Sequence, residues 1–478
     1  MVNLLMKPLI KFFKENKLIT FLFVFSTVFF IYQHSLGIYW DFASYSLNAQ
    51  YLFSDGNYFE WLRTPLPSFL IGLFTFFIFP YQIAEYFYIL FVSLLFLFSC
   101  IKFAKSFGLD QTLFYTLILN PFLILTSFVA GAELLSFSFL LLFLSYLFSD
   151  KPLCRVKSGV SYALACLSRY NCFPYVILIF FSKNIKKNII FIILFFIIII
   201  LTLSPWLFFN YNKTGHILTS IGNSHALNIK YRNYMFQQPS VLHFLMVGNL
   251  LIPFFIFGLK KFKFNRKNFI IVLVFIITLI SYLTIPVKEC RYLFNLILPL
   301  AYFSYLYIER IKNSKVIFSV LSVSTISFLL ILSLFGFSIG YLNPPKKEFY
   351  EINISQNCSF ASNQWVPLNY LGYPSAPPPR EQKIDNYINE GYRIVIYYGL
   401  EPDYSTNMTF LRKFPVIKET KDYIILGNVS KCKYIHKFDS TYLERLNTIT
   451  VNLYNYSIET NPCKSLGLGK ICEYFKFL

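Results

Sequence analysis

Long apolar runs separated by short polar segments occupy the first 340 residues of the chain. Several runs approach or exceed the roughly 20 residues that a helix needs to cross a bilayer. Helices satisfy their own backbone hydrogen bonds in lipid, so runs of this length predict helical spans. The pattern therefore predicts an all-α polytopic membrane protein with about 11 transmembrane helices, near residues 18–33, 84–101, 111–129, 133–148, 158–168, 172–182, 189–206, 240–258, 268–285, 292–308 and 316–340.

The segment between the first two predicted spans, residues 34–83, is a long outer loop. Its second half, "TPLPSFLIGLFTFFIF", is apolar, but a helix of about 15 residues covers only about 22 Å. Counting it as a span would place the basic segment "KKFKFNRK" outside, against the positive-inside rule. We therefore predict a juxtamembrane or re-entrant helix at the outer face. The segment "FASYSLNAQYLF" has Phe42, Tyr45 and Ala49 on one helical face, which predicts an interfacial helix with Asp41 at its start.

The apolar runs stop near Asn343, and this change divides the predicted transmembrane domain, residues 1–340, from a C-terminal domain, residues 341–478. The segments "CSFAS", "YRIVIYYG" and "DYIILGN" predict strands, and "REQKIDNYINEGY" predicts a helix between the first two. This order indicates a small α/β domain.

Charge adds an orientation to this picture. Only 14% of the 478 residues are charged and 56% are hydrophobic, a balance that excludes a water-soluble domain of this length. A net charge of +20 would otherwise suggest a nucleic-acid partner. With the N-terminus in the cytoplasm, however, most of the Lys and Arg residues before residue 341 fall in inner segments. The charge therefore indicates a multi-pass cell membrane protein whose C-terminal domain is extracytoplasmic, with no nucleic acid as partner.

Two features of the C-terminal domain agree with an outer location. The domain holds four cysteines, Cys358, Cys432, Cys463 and Cys472. An even number of cysteines in an outward domain predicts two disulfides, and the sequence leaves their pairing open. Five Asn-x-Ser/Thr sequences are candidate glycosylation sites, at Asn353, Asn357, Asn407, Asn428 and Asn455. Chance occurrence in an Asn-rich chain is the alternative explanation of these five sequences.

Polar residues gather on the predicted outer face, where ionisable groups are costly and often mark functional sites. The candidates are Asp41, Arg63, Glu133, Arg169, Lys288, Arg291 and Tyr292. Two acids and several cations on one face predict a site for a reaction with an anionic, lipid-linked substrate. The sequence has no His-x-x-x-His or Cys-x-x-Cys pair and no Gly-rich phosphate loop, so we predict no metal site and no nucleotide-driven transport.

Each candidate also has a purely structural alternative. Asp41 is a possible helix N-cap, whose carboxylate would accept backbone N–H groups. Glu133 is a possible interfacial anchor. Arg291 and Lys288 are possible snorkelling residues at a span end, and Tyr292 fits an aromatic belt.

The ordered set of motifs resembles the GT-C membrane glycosyltransferases, in the branch near protein O-mannosyltransferases and the lipid A aminoarabinose transferase. The acid of the first outer loop corresponds to Asp41 in "GIYWDFASYSLNAQYLFSDG", and "RTPLP" from Arg63 corresponds to the family's Arg-Pro-Pro-Leu-Tyr-Pro. "GAELLSF" with Glu133 corresponds to Pro-Asp-Ala-Leu, and "ALACLSRYN" to Leu-x-Arg-Tyr. "RYLFNLILP" from Arg291 matches the family's Arg-Tyr-x-x-x-x-x-x-Pro. Asp41 lacks the neighbouring acid often seen, the proline motif is altered, and Glu replaces the usual Asp.

The resemblance implies inverting transfer of a sugar from a polyprenyl (dolichyl)-phosphate carrier to an acceptor hydroxyl on a glycan, lipid or protein. It implies that Asp41 is the general base, and that Glu133 orients the acceptor or holds a basic residue. The implied phosphate-binding residues are Arg291, Lys288, Arg63 and Arg169, and the implied substrate contacts are Tyr292 and His225. No cofactor is required, and a divalent metal stays open. The alternatives are a transporter or flippase of lipid-linked glycans and a non-catalytic surface receptor.

Overall fold

The computed structural model describes residues 13–76, 80–149, 152–182, 189–225, 237–309, 319, 324–328, 330, 344–352, 358–378, 383–400 and 408–434. The helices of the membrane region are α1 (Lys17–Ser35), α2 (Trp40–Phe53), α3 (Pro65–Thr75), α4 (Tyr81–Phe107), α5 (Gln111–Ile118), α6 (Pro121–Thr126), α7 (Glu133–Leu147), α8 (Pro152–Ser168), α9 (Leu178–Ser182), α10 (Ile189–Thr214), α11 (Thr219–His225), α12 (Val241–Gly248), α13 (Leu251–Leu259), α14 (Arg266–Thr284) and α15 (Ile297–Ile308). Two 3₁₀ helices, Tyr170–Ile177 and Cys290–Leu296, precede α9 and α15.

Within the described residues, α1, α4, α10 and α14 are long and apolar enough to cross a membrane. The pair α12 and α13 adds a fifth span if the two helices, bent by 89°, are counted together. Apolar side chains on the outside of these helices, such as Phe21, Phe98 and Leu201, are more than half exposed, as expected of surfaces that face lipid. The chain is therefore a membrane protein. The number of 11 spans stays a prediction, and most of the segment 316–340 lies outside the described residues.

Two predicted spans are broken by identifiable residues. The segment 111–129 forms α5 and α6, because the Asn120 side chain accepts the Leu123 N–H at 2.8 Å and Pro121 occupies the first helical position. The segment 240–258 forms α12 and α13, because Asn249 ends α12 with a positive φ of 37°. Asn is one of the few residues that visit positive φ readily, so it allows the chain to turn there.

The first outer loop contains the two predicted helices, α2 and α3. The buried face of α2 includes Phe42, Tyr45 and Ala49, as the sequence pattern predicts. Helix α3 has 11 residues and is about 16 Å long, which is too short to cross a bilayer. A Cβ atom on Gly72 of α3 would lie 2.1 Å from the Phe53 ring, so glycine is what allows α2 and α3 to pack this closely.

The C-terminal region folds into a five-stranded sheet in the order β2-β1-β3-β5-β4. Its elements are β1 (Phe360–Ser362), α16 (Trp365–Tyr370), β2 (Ser375–Ala376), α17 (Ile384–Asn389), β3 (Arg393–Tyr397), α18 (Met408–Leu411), β4 (Val416–Glu419) and β5 (Tyr423–Leu426). β1 is parallel to β2 and β3, and β5 is antiparallel to β3 and β4. The strands β1, β3 and β5 and the helix α17 lie in the four segments where the sequence predicts them.

One of the two predicted disulfides is present, between Cys358 and Cys432. It joins the residues before β1 to the chain after β5. The other two candidate cysteines, Cys463 and Cys472, lie outside the described residues. So do four of the candidate glycosylation sites, at Asn353, Asn357, Asn407 and Asn455. Asn428 is described and half-buried, and its modification stays a prediction.

The C-terminal sheet and α2 share one hydrophobic core. Ile38, Ala43, Leu47 and Tyr58 of the first outer loop pack with apolar residues of the C-terminal region, including Phe360, Val395 and Ile425 of the sheet and Val366 of α16. The rings of Trp40 and Trp365 meet edge to face, with their centroids 4.6 Å apart. Asp41 therefore lies in a helix that is held between the membrane helices and the C-terminal domain.

We expect Cys358→Ser to destabilise the C-terminal domain by roughly 2–5 kcal/mol, since it opens a loop that spans 74 residues of sequence. The measurement is the rate at which a protease cleaves the domain in the folded, detergent-solubilised protein. Cys154→Ser is the control, because Cys154 is a half-buried free thiol. Equal cleavage rates for the two variants would show that the disulfide contributes little.

Candidate functional site

Asp41 lies in the first turn of α2 and bridges two arginines. Its Oδ1 atom is 2.7 Å from Nη2 of Arg63, and its Oδ2 atom is 2.5 Å from Nη1 of Arg291. The N-cap of α2 is Tyr39, and no side chain caps this helix end. The structural alternative of Asp41 as an N-cap is therefore wrong, because its carboxylate is used by the arginines instead.

Each arginine is held on its other side by a glutamate. Nε of Arg63 is 2.6 Å from Oε2 of Glu60, and Nε of Arg291 pairs with Glu289. The five side chains form a row of alternating sign, from Glu60 through Arg63, Asp41 and Arg291 to Glu289. The row carries three carboxylates and two guanidinium groups, so its net charge is negative.

The row is largely removed from water, and this affects the titration of its central groups. Burial by itself raises the pKa of Asp41, but the positive charges of Arg63 and Arg291 outweigh this effect and hold that pKa well below its ordinary value. Burial likewise lowers the pKa of Arg63, while Asp41 and Glu60 raise it above its ordinary value overall. Asp41 is therefore a carboxylate throughout the physiological pH range, with both oxygens paired.

A second buried ion pair joins Glu133, the first residue of α7, to Arg169 at the start of the 3₁₀ helix. Glu133 is fully buried, and the Arg169 side chain is 17% exposed. Burial and the positive charge of Arg291 lower the pKa of Arg169. The negative charge of Glu133 outweighs them, so this pKa lies above its ordinary value. Tyr45 interacts electrostatically with Arg63, Arg169 and Asp41. The two sets of charges thus interact electrostatically with each other and with Tyr45.

Lys288 has a different role from the one predicted. Its ammonium group donates hydrogen bonds to the backbone carbonyls of Tyr282, Leu283 and Ile285, at the end of α14. An ammonium group has three N–H donors, and here all three are used at a helix end, where cations are favourable. Lys288 therefore caps α14, and we do not retain it as a phosphate ligand.

The two predicted substrate contacts are placed differently. Tyr292 adjoins the site: the Arg291 guanidinium lies 5.7 Å from its ring centroid, and its hydroxyl donates to Glu289 at 3.5 Å. His225 is exposed at the end of α11. The same helix approaches the site through Ser220, whose hydroxyl donates to the carbonyl of Arg63 at 3.2 Å.

Glu60, which is only 2% exposed, is a site residue that the sequence pattern did not single out. The available signal was its spacing, because Glu60 precedes Arg63 by three residues in "EWLR". Glu85 of α4 was not predicted either, and it accepts hydrogen bonds from Ser46 at 2.5 Å and from Tyr370 of the C-terminal domain at 2.9 Å. Glu85 and His34, 2.8 Å apart, line a cavity of about 480 Å³ beside the first turn of α2.

Within the described part of the chain, no group of three or more His, Cys, Asp or Glu residues is placed to hold a metal ion. The independence of the reaction from metal stays a prediction.

The fold has solved counterparts. The crystal structure of ArnT from Cupriavidus metallidurans bound to undecaprenyl phosphate aligns with a TM-score of 0.59 and 12% sequence identity, over 86% of this chain and 98% of that chain. The same protein in the apo state aligns with a TM-score of 0.57 and 11% identity, over the same shares. ArnT is a lipid A aminoarabinose transferase.

This chain has the fold of ArnT. The likeness covers most of the chain and confirms the fold that the ordered motifs imply. No protein-family model matches the sequence. No curated protein sequence matches it either. At this level of identity the likeness to ArnT establishes the architecture, and the chemistry has to be argued from the residues of this chain.

We expect Glu133→Gln to destabilise the protein by about 3–5 kcal/mol, because it leaves the Arg169 guanidinium buried without a counter-charge. Thermal unfolding in detergent measures the change. Ser136→Ala is the matched control on the same helix, since it removes a buried hydroxyl that donates to the Glu133 backbone carbonyl and leaves the ion pair intact. The double variant Glu133→Gln, Arg169→Gln should recover most of the loss. A Glu133→Gln protein as stable as the control would contradict this account of the pair.

Proposed function

We propose that this protein is an integral membrane glycosyltransferase that moves a sugar from a polyprenyl-phosphate carrier to an acceptor hydroxyl. The observation that carries the proposal is the pairing of Asp41 with Arg63 and Arg291 in a chain with the GT-C fold. The crystal structure of ArnT bound to undecaprenyl phosphate, which shares this fold, supports a carrier of that class.

The two arginines are suited to bind the phosphate of the carrier. Guanidinium groups form paired, charge-assisted hydrogen bonds with carboxylates and with phosphates alike. Asp41 occupies both arginines here, and a phosphate entering between them would compete for the same N–H groups. Substrate binding would then release the Asp41 carboxylate as it places the sugar beside it.

The released carboxylate can act as a general base. Asp41 takes the proton of the acceptor hydroxyl while that oxygen attacks the anomeric carbon. The bond between the anomeric carbon and the phosphate oxygen breaks in the same step, so the configuration inverts. The lipid phosphate leaves as an anion whose added charge is stabilised by Arg63 and Arg291.

Glu133 and Arg169 would support this step at the edge of the site. Of the two roles considered for Glu133, the ion pair favours the one in which it holds a basic residue in place. Arg169 then adds a third positive charge that interacts electrostatically with Arg291. Tyr292 and His225 remain proposed substrate contacts.

The proposed orientation follows from charge. The basic residues predict a cytoplasmic N-terminus, which places α2, the row of ion pairs and the C-terminal domain on the outer side. The disulfide between Cys358 and Cys432 supports an oxidising, extracytoplasmic location for that domain. The sugar and the acceptor, whether glycan, lipid or protein, are left open. Mass spectrometry of surface glycans from a deletion strain would identify the missing residue.

We expect Asp41→Asn to abolish sugar transfer while undecaprenyl phosphate binds as tightly as to the wild type or more tightly. The variant lacks the base, and its arginines have lost a competing carboxylate. Calorimetric titration of the purified protein with undecaprenyl phosphate measures binding, and the surface glycans of a complemented deletion strain report transfer. Full transfer by Asp41→Asn would refute its role as base, and weaker binding would refute the competition.

We expect Arg291→Gln and Arg63→Gln to weaken the binding of undecaprenyl phosphate by at least about tenfold each, since each removes a charge-assisted contact of roughly 1.5–3 kcal/mol. The control is Lys260→Gln, which removes one exposed positive charge just after α13. If all three variants bound equally well, the arginines would not be the phosphate ligands.

A further inference from the structure

A line of hydrogen bonds runs from the C-terminal domain to the row of ion pairs. Nε1 of Trp365 donates to the Tyr58 hydroxyl at 2.9 Å, and this hydroxyl donates to Oε1 of Glu60 at 3.3 Å. The other oxygen of Glu60 accepts from Nε of Arg63 at 2.6 Å, and Arg63 pairs with Asp41. Three polar side chains thus separate α16 of the C-terminal domain from the proposed base.

Glu60 is fixed from two directions. Asn48 of α2 holds its backbone, because the Glu60 N–H donates to the Asn48 Oδ1 at 2.7 Å and the Asn48 amide donates to the Glu60 carbonyl at 3.0 Å. Its side chain is held by Tyr58 and Arg63. Since Glu60 is almost wholly buried, its carboxylate is held by its protein partners, and its position decides where Nε of Arg63 lies.

Tyr58 in turn depends on the C-terminal domain. It is 5% exposed and packs in the hydrophobic core that α2 shares with the sheet. Trp365, which donates to its hydroxyl, also packs edge to face on Trp40, the residue before Asp41. Trp365 therefore affects the position of Asp41 through Trp40 and the backbone of α2. It affects the position of Arg63 through Tyr58 and Glu60.

We infer that Glu60 is a positioning residue for the phosphate-binding Arg63, and that the C-terminal domain sets its position through Trp365 and Tyr58. This inference rests on the proposed function. The C-terminal domain, although it lies far from Arg63 in the sequence, then helps to build the site. Arg63 donates its Nε–H to Glu60, which leaves Nη2 directed at Asp41 or at a phosphate that replaces it. Such prior alignment lowers the entropic cost of binding the carrier.

Glu60 has two effects of opposite sign on phosphate binding, and this makes the inference testable. Its negative charge opposes an entering phosphate, whereas its hydrogen bond aligns Arg63. Glu60→Gln removes the charge and keeps an acceptor for Arg63, so it should bind undecaprenyl phosphate as tightly as the wild type or more tightly. Glu60→Ala removes both and should bind about threefold to tenfold more weakly than Glu60→Gln, as expected for the loss of one hydrogen bond. Titration calorimetry of the folded, full-length variants measures both values.

Tyr58→Phe isolates the connection to the C-terminal domain. It removes one hydroxyl and should weaken binding of undecaprenyl phosphate by about threefold to tenfold. Tyr350→Phe is the matched control: Tyr350 is a buried tyrosine of the same shared core, and its hydroxyl bonds Gln364, away from Arg63. Both variants should lower the unfolding temperature by similar amounts, whereas only Tyr58→Phe should change the affinity.

The contribution of Trp365 is measured by a double-variant cycle. Trp365→Phe keeps a ring against Trp40 and removes the N–H donor, so it should weaken binding in the wild-type background. In the Tyr58→Phe background it should have little further effect, since the connection is already broken.

These outcomes separate the inference from the proposed function. If the wild-type protein does not bind undecaprenyl phosphate, the proposed function fails. If the wild type binds but Tyr58→Phe matches Tyr350→Phe in affinity, the link from the C-terminal domain fails while the function stands. Equal affinities for Glu60→Gln and Glu60→Ala would show that Glu60 acts by charge alone and not by positioning Arg63.

Discussion

The salt bridge between Asp41 and Arg291 joins residues 250 positions apart, and with Arg63 it fixes three segments of the chain to one another. Removing such charges from water costs several kcal/mol each, and the cost is recovered only when every charge has a well-placed partner. The loop before α3, the first turn of α2 and the 3₁₀ helix before α15 must therefore be held in register. The close packing of α2 on α3 and the core shared with the C-terminal sheet both serve this requirement.

Charge and hydropathy were enough to predict that charged residues far apart in the sequence gather in one part of the fold, because both depend on composition along the chain. They predicted Asp41, Arg63 and Arg291 on one face, and the structure brings these three into contact. They could not predict which cations meet the acids. Lys288 and Arg291 stand three residues apart at one span end, yet one caps a helix and the other pairs with Asp41. That difference depends on the direction of each side chain, which the fold decides.

The sequence pattern also did not predict the breaks in the helices or the partly exposed strand β4. The mean hydropathy of a segment indicates whether the segment can lie in lipid, but not whether its helix is straight. It therefore could not predict the turn at Asn249. Strand β4 was missed because Val416 and Glu419 at its ends are exposed and its pairing with β5 is irregular. The buried strands β3 and β5 were predicted, since continuous burial leaves an uninterrupted apolar run.

The alternating row of charges explains how one site can be stable both empty and loaded. Without substrate, each guanidinium group of the row has a carboxylate on either side, and no buried charge is left alone. In the proposed reaction a phosphate replaces Asp41 between the arginines, so one anion substitutes for another. The outer glutamates, Glu60 and Glu289, keep the arginines in place during the exchange. The charge released is the carboxylate of Asp41, and its loss of two cationic partners raises its basicity at the moment when a base is required.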